Sequence, residues 1–256
     1  MFSQMLILVC FGRLNDRRKK MKGIITVKNN GHSLNTLIVN RPSWENMKKY
    51  YPADGVDRYA FFPTISKALG LDADAPAYEN TCALRMSYAL NHSGVKLGKA
   101  PGQGGMVIGD DKLNYWLRVK DLKNQLAILF GNADFSLKYP NKMPPATKSD
   151  ITGSETYSVN HWNAFYQRKL FAENNFVSRI KDKTGIIAFE VDGWGNATGH
   201  FTLWDKGNLL YVGSNKNEND PTSAAYYVWH VEPRYDGLKD QMYLIQTTSI
   251  AFWELK

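Results

Sequence analysis

Cysteine is scarce in this chain, with only Cys10 and Cys82 in 256 residues, and that scarcity excludes a disulfide-stapled scaffold. Neither cysteine shows the paired spacing of a zinc site, no two of the five histidines share a ligand spacing, and His200 has no acid or histidine four residues on. The sequence therefore calls for no metal and no cofactor. Long apolar runs are missing too: Met5 to Phe11 is too short to span a bilayer, and the basic cluster Arg17-Arg18-Lys19-Lys20 follows it where a signal peptide places its charge first. Neither membrane insertion nor a secretory signal is read, and Met21 is an alternative start. Acidic residues fall short of basic ones, 24 against 32, for a formal net charge of +8. Such a chain is drawn to polyanions, but its basic residues are spread along the sequence, so nucleic-acid binding is the weakest reading. The glycine-rich stretch Gly102-Gln103-Gly104-Gly105 has no flanking strand and no GK[ST] ending, which removes a phosphate-binding loop.

What is present suffices for one sizeable core, at 43% hydrophobic and 13% aromatic residues. Residues 23–40 read as a short hairpin or an irregular lead-in. Ser43 caps a helix over Trp44 to Tyr51 that Pro52 stops, and a short helix is expected over Pro63 to Leu69, ended by Gly70. From a cap at Asn80 or Thr81, a helix runs through Asn91 to Gly94, with Ala83, Met86 and Leu90 in one stripe and Cys82 in the first turn. Leu122 to Phe130 is amphipathic and ends at Gly131; residues 139–157 look like a surface excursion, and His161 to Asn174 an inserted helix. The pattern then changes to strands: Gly185 to Val191, a hairpin of Gly199–Asp205 and Asn208–Gly213 turning at Lys206-Gly207, and Ile250 to Leu255. Helices first and antiparallel strands afterwards predict an α+β domain.

A thiol attacks as its thiolate, and the free N–H groups of a helix's first turn favour that anion. Cys82 has this setting, and the same N–H groups suit an oxyanion. Its base must come from elsewhere in the fold, and His200 stands out because it opens a strand after the small-residue run Gly193-Trp194-Gly195-Asn196-Ala197-Thr198-Gly199, where a substrate backbone can approach the ring. His32, His92, His161 and His230 have no comparable context. A lone helical cysteine is more often a small core residue, so pattern alone leaves the pairing of Cys82 with His200 open.

The residues themselves resemble a known family. Asn40-Arg41-Pro42-Ser43-Trp44 resembles the opening helix of the type VI secretion amidase effectors of the fourth family, and Asn80 through Asn91 resembles their nucleophile helix. Gly193 through Asp205 resembles their histidine strand, and Phe252-Trp253-Glu254-Leu255 fits their closing strand. The resemblance starts near Asn40, which sets residues 1–39 apart as an N-terminal extension and 40–256 as the domain, with insertions near 139–178 and 214–246. It implies a papain-like cysteine peptidase fold, in which the nucleophile helix packs on an antiparallel β-sheet. It further implies hydrolysis of the peptidoglycan stem peptide between D-glutamate and meso-diaminopimelate. The implied partners are the type VI secretion apparatus, which carries cargo without a signal peptide into the periplasm of a rival bacterium, and a cognate immunity protein.

Carried over residue by residue, Cys82 is nucleophile and His200 general base. The family's third member, an aspartate on the following strand, is missing here, because the corresponding stretch is Leu210-Tyr211-Val212-Gly213. Antiparallel pairing about Lys206-Gly207 brings residues near 213 opposite His200 and favours Asn215, which needs only to accept a hydrogen bond. Asp220 is the next candidate and requires the chain to fold back; Asp205 reads as a turn residue and Asp192 as more distant. Trp194 and Trp204 are candidates for the substrate groove, although such aromatics more often fill a core. The missing aspartate also admits a catalytically impaired homologue that binds cell wall or an immunity protein, and the chemistry alone admits a housekeeping or phage cell-wall hydrolase.

Overall fold

The computed structural model describes residues 6–8, 22–29, 32–144 and 159–256, with side chains from 40 to 144 and from 162 onward. Cys10, the basic cluster at 17–20 and most of the 139–157 stretch lie outside the described residues. Strands β1 (Leu6–Leu8), β2 (Lys22–Asn29) and β3 (His32–Asn40) pair antiparallel in that order, so the lead-in is a hairpin with a third strand.

Helix α1 (Trp44–Tyr50) begins where the Ser43 hydroxyl accepts the Asn46 N–H at 3.3 Å and ends ahead of Pro52. The single helix expected over Pro63 to Leu69 is two helices, α2 (Arg58–Ile65) and α3 (Lys67–Leu71). Ser66 divides them, because its backbone turns extended and its hydroxyl caps Leu69 N–H at 3.1 Å. Gly70 lies inside α3 instead of ending a helix; a Cβ there would stand 2.9 Å from Pro63 Cγ, so the glycine answers to close packing.

Helix α4 (Cys82–His92) buries Ala83, Met86, Ala89 and Leu90 on one stripe. A small hairpin, β4 (Met106–Ile108) with β5 (Asn114–Trp116), precedes α5 (Val119–Phe130), which Gly131 ends at φ 78°. After β6 (Phe135–Lys138), helix α6 (Val159–Ala172) widens into a π turn over Glu173–Val177 and closes as α7 (Ser178–Ile180), longer than the helix read from the sequence.

The remaining strands, β7 (Thr184–Asp192), β8 (Gly199–Asp205), β9 (Asn208–Leu209), β10 (Val231–Asp236) and β11 (Gln241–Glu254), form the main sheet. It is antiparallel in the order β10-β11-β7-β8-β9, with β6 pairing further along β11. Strand β7 is central and apolar on both faces. Ile186 and Ala188 join the core beneath α4 and α5, while Ile187 and Phe189 join the opposite core with Phe176 and Trp229. Each such fully buried isoleucine or phenylalanine contributes about 1.5–3 kcal/mol, so the sheet is anchored from both sides. The strand expected over Asn208 to Gly213 pairs only through Leu209; beyond it, Leu210 N–H still reaches the Leu203 carbonyl at 3.0 Å, but Tyr211 N–H goes to the Thr202 hydroxyl at 2.9 Å. A side chain thus replaces the ladder and frees the chain to turn across the strand end.

Candidate active site

Cys82 occupies the first position of α4, is 6% exposed, and is the free cysteine among the described residues. Its N-cap residue Thr81 does not cap through its side chain; that hydroxyl instead meets the Tyr211 hydroxyl at 2.8 Å and accepts from Arg85 Nε at 2.9 Å. Asn80, the other cap candidate, donates its amide to the Asn196 carbonyl at 3.2 Å and so ties the helix start to the loop before β8. Burial pushes the Cys82 thiol up from its ordinary value, and the backbone N–H groups of Phe201, Ala83 and Cys82 itself, together with Arg85, oppose that by favouring the thiolate. The sulfur therefore sits against the backbone of the residue that follows His200.

His200 enters from β8, paired opposite Phe189 of β7 and 5% exposed. Its ring stacks on Tyr227 at 4.4 Å and 9° and on Tyr211 at 5.7 Å and 21°. Nε2 lies 2.8 Å from the backbone carbonyl of Tyr211. A carbonyl only accepts, so Nε2 carries the hydrogen and Nδ1 keeps its lone pair, which fixes the tautomer of the neutral ring. Burial pushes the His200 pKa down to about 4, against an upward pull from the Tyr211 carbonyl and Asp54 and a further downward push from Arg85. Burial thus disfavours the charged form of both the thiol and the imidazole. They line one cleft of about 440 Å³ with Arg58, Glu79, Asn80, Thr81, Trp194, Asn196, Glu218 and Tyr227.

The sequence matches the family model for Tae4, type VI secretion system (T6SS) amidase effector protein 4, over residues 78–155 and 160–253, more than half of the chain. This chain belongs to the Tae4 family. The fold is similar to that of the type VI effector Tae4 from Enterobacter cloacae, at 23% identity and a TM-score of 0.50, covering 85% of this chain and 99% of that one. It is also similar to the effector Tae4 from Salmonella typhimurium, solved in complex with the immunity Tai4 from Enterobacter cloacae, at 20% identity and a TM-score of 0.50, covering 84% and 100%. At these identities the likeness establishes the papain-like α+β fold. No curated protein matches the sequence.

This Tae4-family chain departs from its expected third residue. Asn215 is exposed at the cleft rim, where its side-chain oxygen accepts the Asn217 N–H at 3.2 Å and caps a short 3-10 turn over Lys216–Asn219. Asp220 takes the N–H of Thr222 at 2.8 Å and its hydroxyl at 2.7 Å. Neither occupies the place beside Nε2 of His200. The reason is the early end of β9: the swing after Leu210 carries the Tyr211 carbonyl across the ring and leaves Asn215 outside it. Asp205 pairs with Lys48 at 2.7 Å and Asp192 pairs with Lys142, both at the surface. Trp194 lines the cleft and meets the Tyr227 ring edge-on, whereas Trp204 is wholly buried and donates to the Ile180 carbonyl.

Sequence reading missed Tyr227, Glu218, Arg85 and Asp54. Tyr227 supplies the stacking face for His200 and shares a hydrogen bond with Glu218, whose pKa burial pushes up to about 7. Arg85 is 2% exposed and donates to the carbonyls of Pro52 and Val56 at 2.8 and 2.7 Å, lying over the Tyr211 ring at 4.1 Å. A charged residue on the inner stripe of α4 was the one available signal, since a buried arginine demands fixed acceptors. Gly199, read as an opening for substrate, answers to the sheet: a Cβ there would stand 2.1 Å from the Phe189 carbonyl oxygen.

Proposed function

We propose that this amidase effector cleaves the peptidoglycan stem peptide at the amide between D-glutamate and meso-diaminopimelate, with Cys82 as nucleophile and His200 as general base. The observation that carries the reading is one cleft that holds a first-turn cysteine and a histidine whose Nε2–H is fixed by the Tyr211 carbonyl. From the neutral forms that burial favours, the thiol proton passes to Nδ1 as Sγ attacks the amide carbon, and the resulting oxyanion is held by N–H groups at the head of α4. The imidazolium returns the proton to the leaving amine. Water, deprotonated by the same ring, then cleaves the thioester and restores the thiol. Arg58 at the cleft wall offers a guanidinium suited to the carboxylates of such a stem peptide.

The site of action in this reading is the periplasm of a rival bacterium, reached through the type VI apparatus, and a cognate immunity protein shields the producer. Family membership supports the secretion route. A Tae4 solved with a Tai4 immunity protein supports the partner. The deciding experiment incubates purified peptidoglycan with the protein and follows new amine ends and the muropeptides released. Wild type is expected to free the diaminopimelate amine, and Cys82→Ala and His200→Ala to fall by at least about a thousandfold. Binding to the wall without release by wild type would mark an impaired homologue and end the proposal.

A further inference from the structure

Asp54 lies in the segment between α1 and α2, far in sequence from His200, yet it grips the chain that lies across His200. Its backbone N–H donates to the Leu210 carbonyl at 2.8 Å. Its carboxylate Oδ1 accepts the N–H groups of Val212 and Gly213 at 3.2 and 3.3 Å, and Oδ2 pairs with Lys216 Nζ at 2.9 Å. The Val212 N–H belongs to the same peptide group as the Tyr211 carbonyl, which takes Nε2–H of His200 at 2.8 Å. One planar peptide therefore stands between a carboxylate on its N–H side and an imidazole on its C=O side. Hydrogen bonding at a peptide N–H polarises the group and makes its carbonyl a stronger acceptor.

We propose that Asp54 is the positioning residue of this site, acting on His200 through the Tyr211–Val212 peptide in place of the carboxylate that the family's strand would supply. The inference rests on His200 being the base. The segment that carries Asp54 is itself fixed, because Arg85 binds the carbonyls of Pro52 and Val56 on either side of it. Asp54 also favours the charged form of His200 across the intervening peptide, in the direction expected of a carboxylate. The other groups around the ring are Cys82 and Arg85 from α4, and the stacked rings of Tyr211 and of Tyr227 with its partner Glu218. Arg85 opposes the imidazolium, and of these groups Asp54 is the carboxylate tied to the Nε2 side.

The test uses the full chain and two variants. Asp54→Asn keeps an oxygen for the two N–H groups and removes the charge, and Lys216→Gln removes the cation that partly neutralises Asp54. The primary readout is the His200 titration midpoint, followed by isotope-labelled histidine NMR in a Cys82→Ala background so that the thiol does not couple to it. Asp54→Asn is expected to lower the midpoint by about half a pH unit or more, and Lys216→Gln to raise it. With Cys82 intact, Asp54→Asn is expected to lower kcat on peptidoglycan about tenfold with KM little changed. An unmoved midpoint in Asp54→Asn overturns the proposal. If that variant does not fold, Lys216→Gln decides, and a midpoint equal to wild type overturns it. Because the midpoint needs no substrate, a chain that fails to release muropeptides yet shows these shifts would refute the proposed reaction and leave the positioning role standing.

Discussion

At the scale of single residues, His200 is a buried imidazole whose charged form burial disfavours, and folding is therefore linked to pH. Its folded pKa of about 4 lies below the ordinary 6.5, so between those values the unfolded chain binds the extra proton. The stability this group contributes is complete above pH 6.5 and is lost as pH falls towards 4, on the order of 3 kcal/mol for the full shift. Glu218 runs the other way, since its carboxyl is raised to about 7 and its contribution fades as pH rises from 4.5. Comparing urea midpoints of wild type and His200→Asn across this range cancels the Glu218 effect. The wild type should lose stability relative to the variant on acidification, and parallel curves would show that the ring is not held neutral by burial.

At the scale of elements, the site is built where α4 meets β8, and the two are set against each other by close backbone approaches. Gly199 packs so tightly on β7 that Gly199→Ala should push β8 away from Phe189, costing about 1–3 kcal/mol and most of the activity, because His200 is the next residue. Thermal unfolding and peptidoglycan release measure the two losses, and a fully active, undiminished Gly199→Ala protein would show that the sheet yields at that point. These elements were legible in the sequence to different degrees. Helix α4 announced itself through Ala83, Met86 and Leu90 at helical spacing, and β7 through a continuous apolar run. Strand β10 did not, because Val231–Asp236 carries Pro233 and charged residues in place of an apolar alternation. It lies at the sheet edge, where a proline and exposed charge are tolerated. The first half of β11 was missed too, although it carries neither proline nor charge: it pairs with β10 and leaves Gln241 and Tyr243 exposed.

At the scale of the whole molecule, a net charge of +8 accompanies an enzyme family whose members are delivered as effectors. Among the described residues no helix is long and apolar enough to cross a membrane. If the substrate is the anionic cell wall, the positive field should hold the protein on the polymer and be screened by salt. Co-sedimentation with purified wall should therefore weaken from low to high salt while cleavage of a small soluble muropeptide changes little. Salt-independent sedimentation would assign wall binding to the cleft alone. The segment 214–246 matters at this scale too, since it supplies Glu218, Tyr227, β10 and part of β11 and so builds one wall of the cleft.

The sequence by itself determined the α+β class, the helix that carries Cys82 and the strand that carries His200, because each rests on local periodicity and on side chains of distinctive type. Only the tertiary structure decided what holds the second ring nitrogen of His200. Asn215 and Asp220 were reasonable candidates from register and residue type, but the group in place is the Tyr211 backbone carbonyl, gripped from behind by Asp54. A peptide carbonyl is present at every position and leaves no mark in a sequence; where it points depends on where β9 stops and on which distant carboxylate binds the loop that follows.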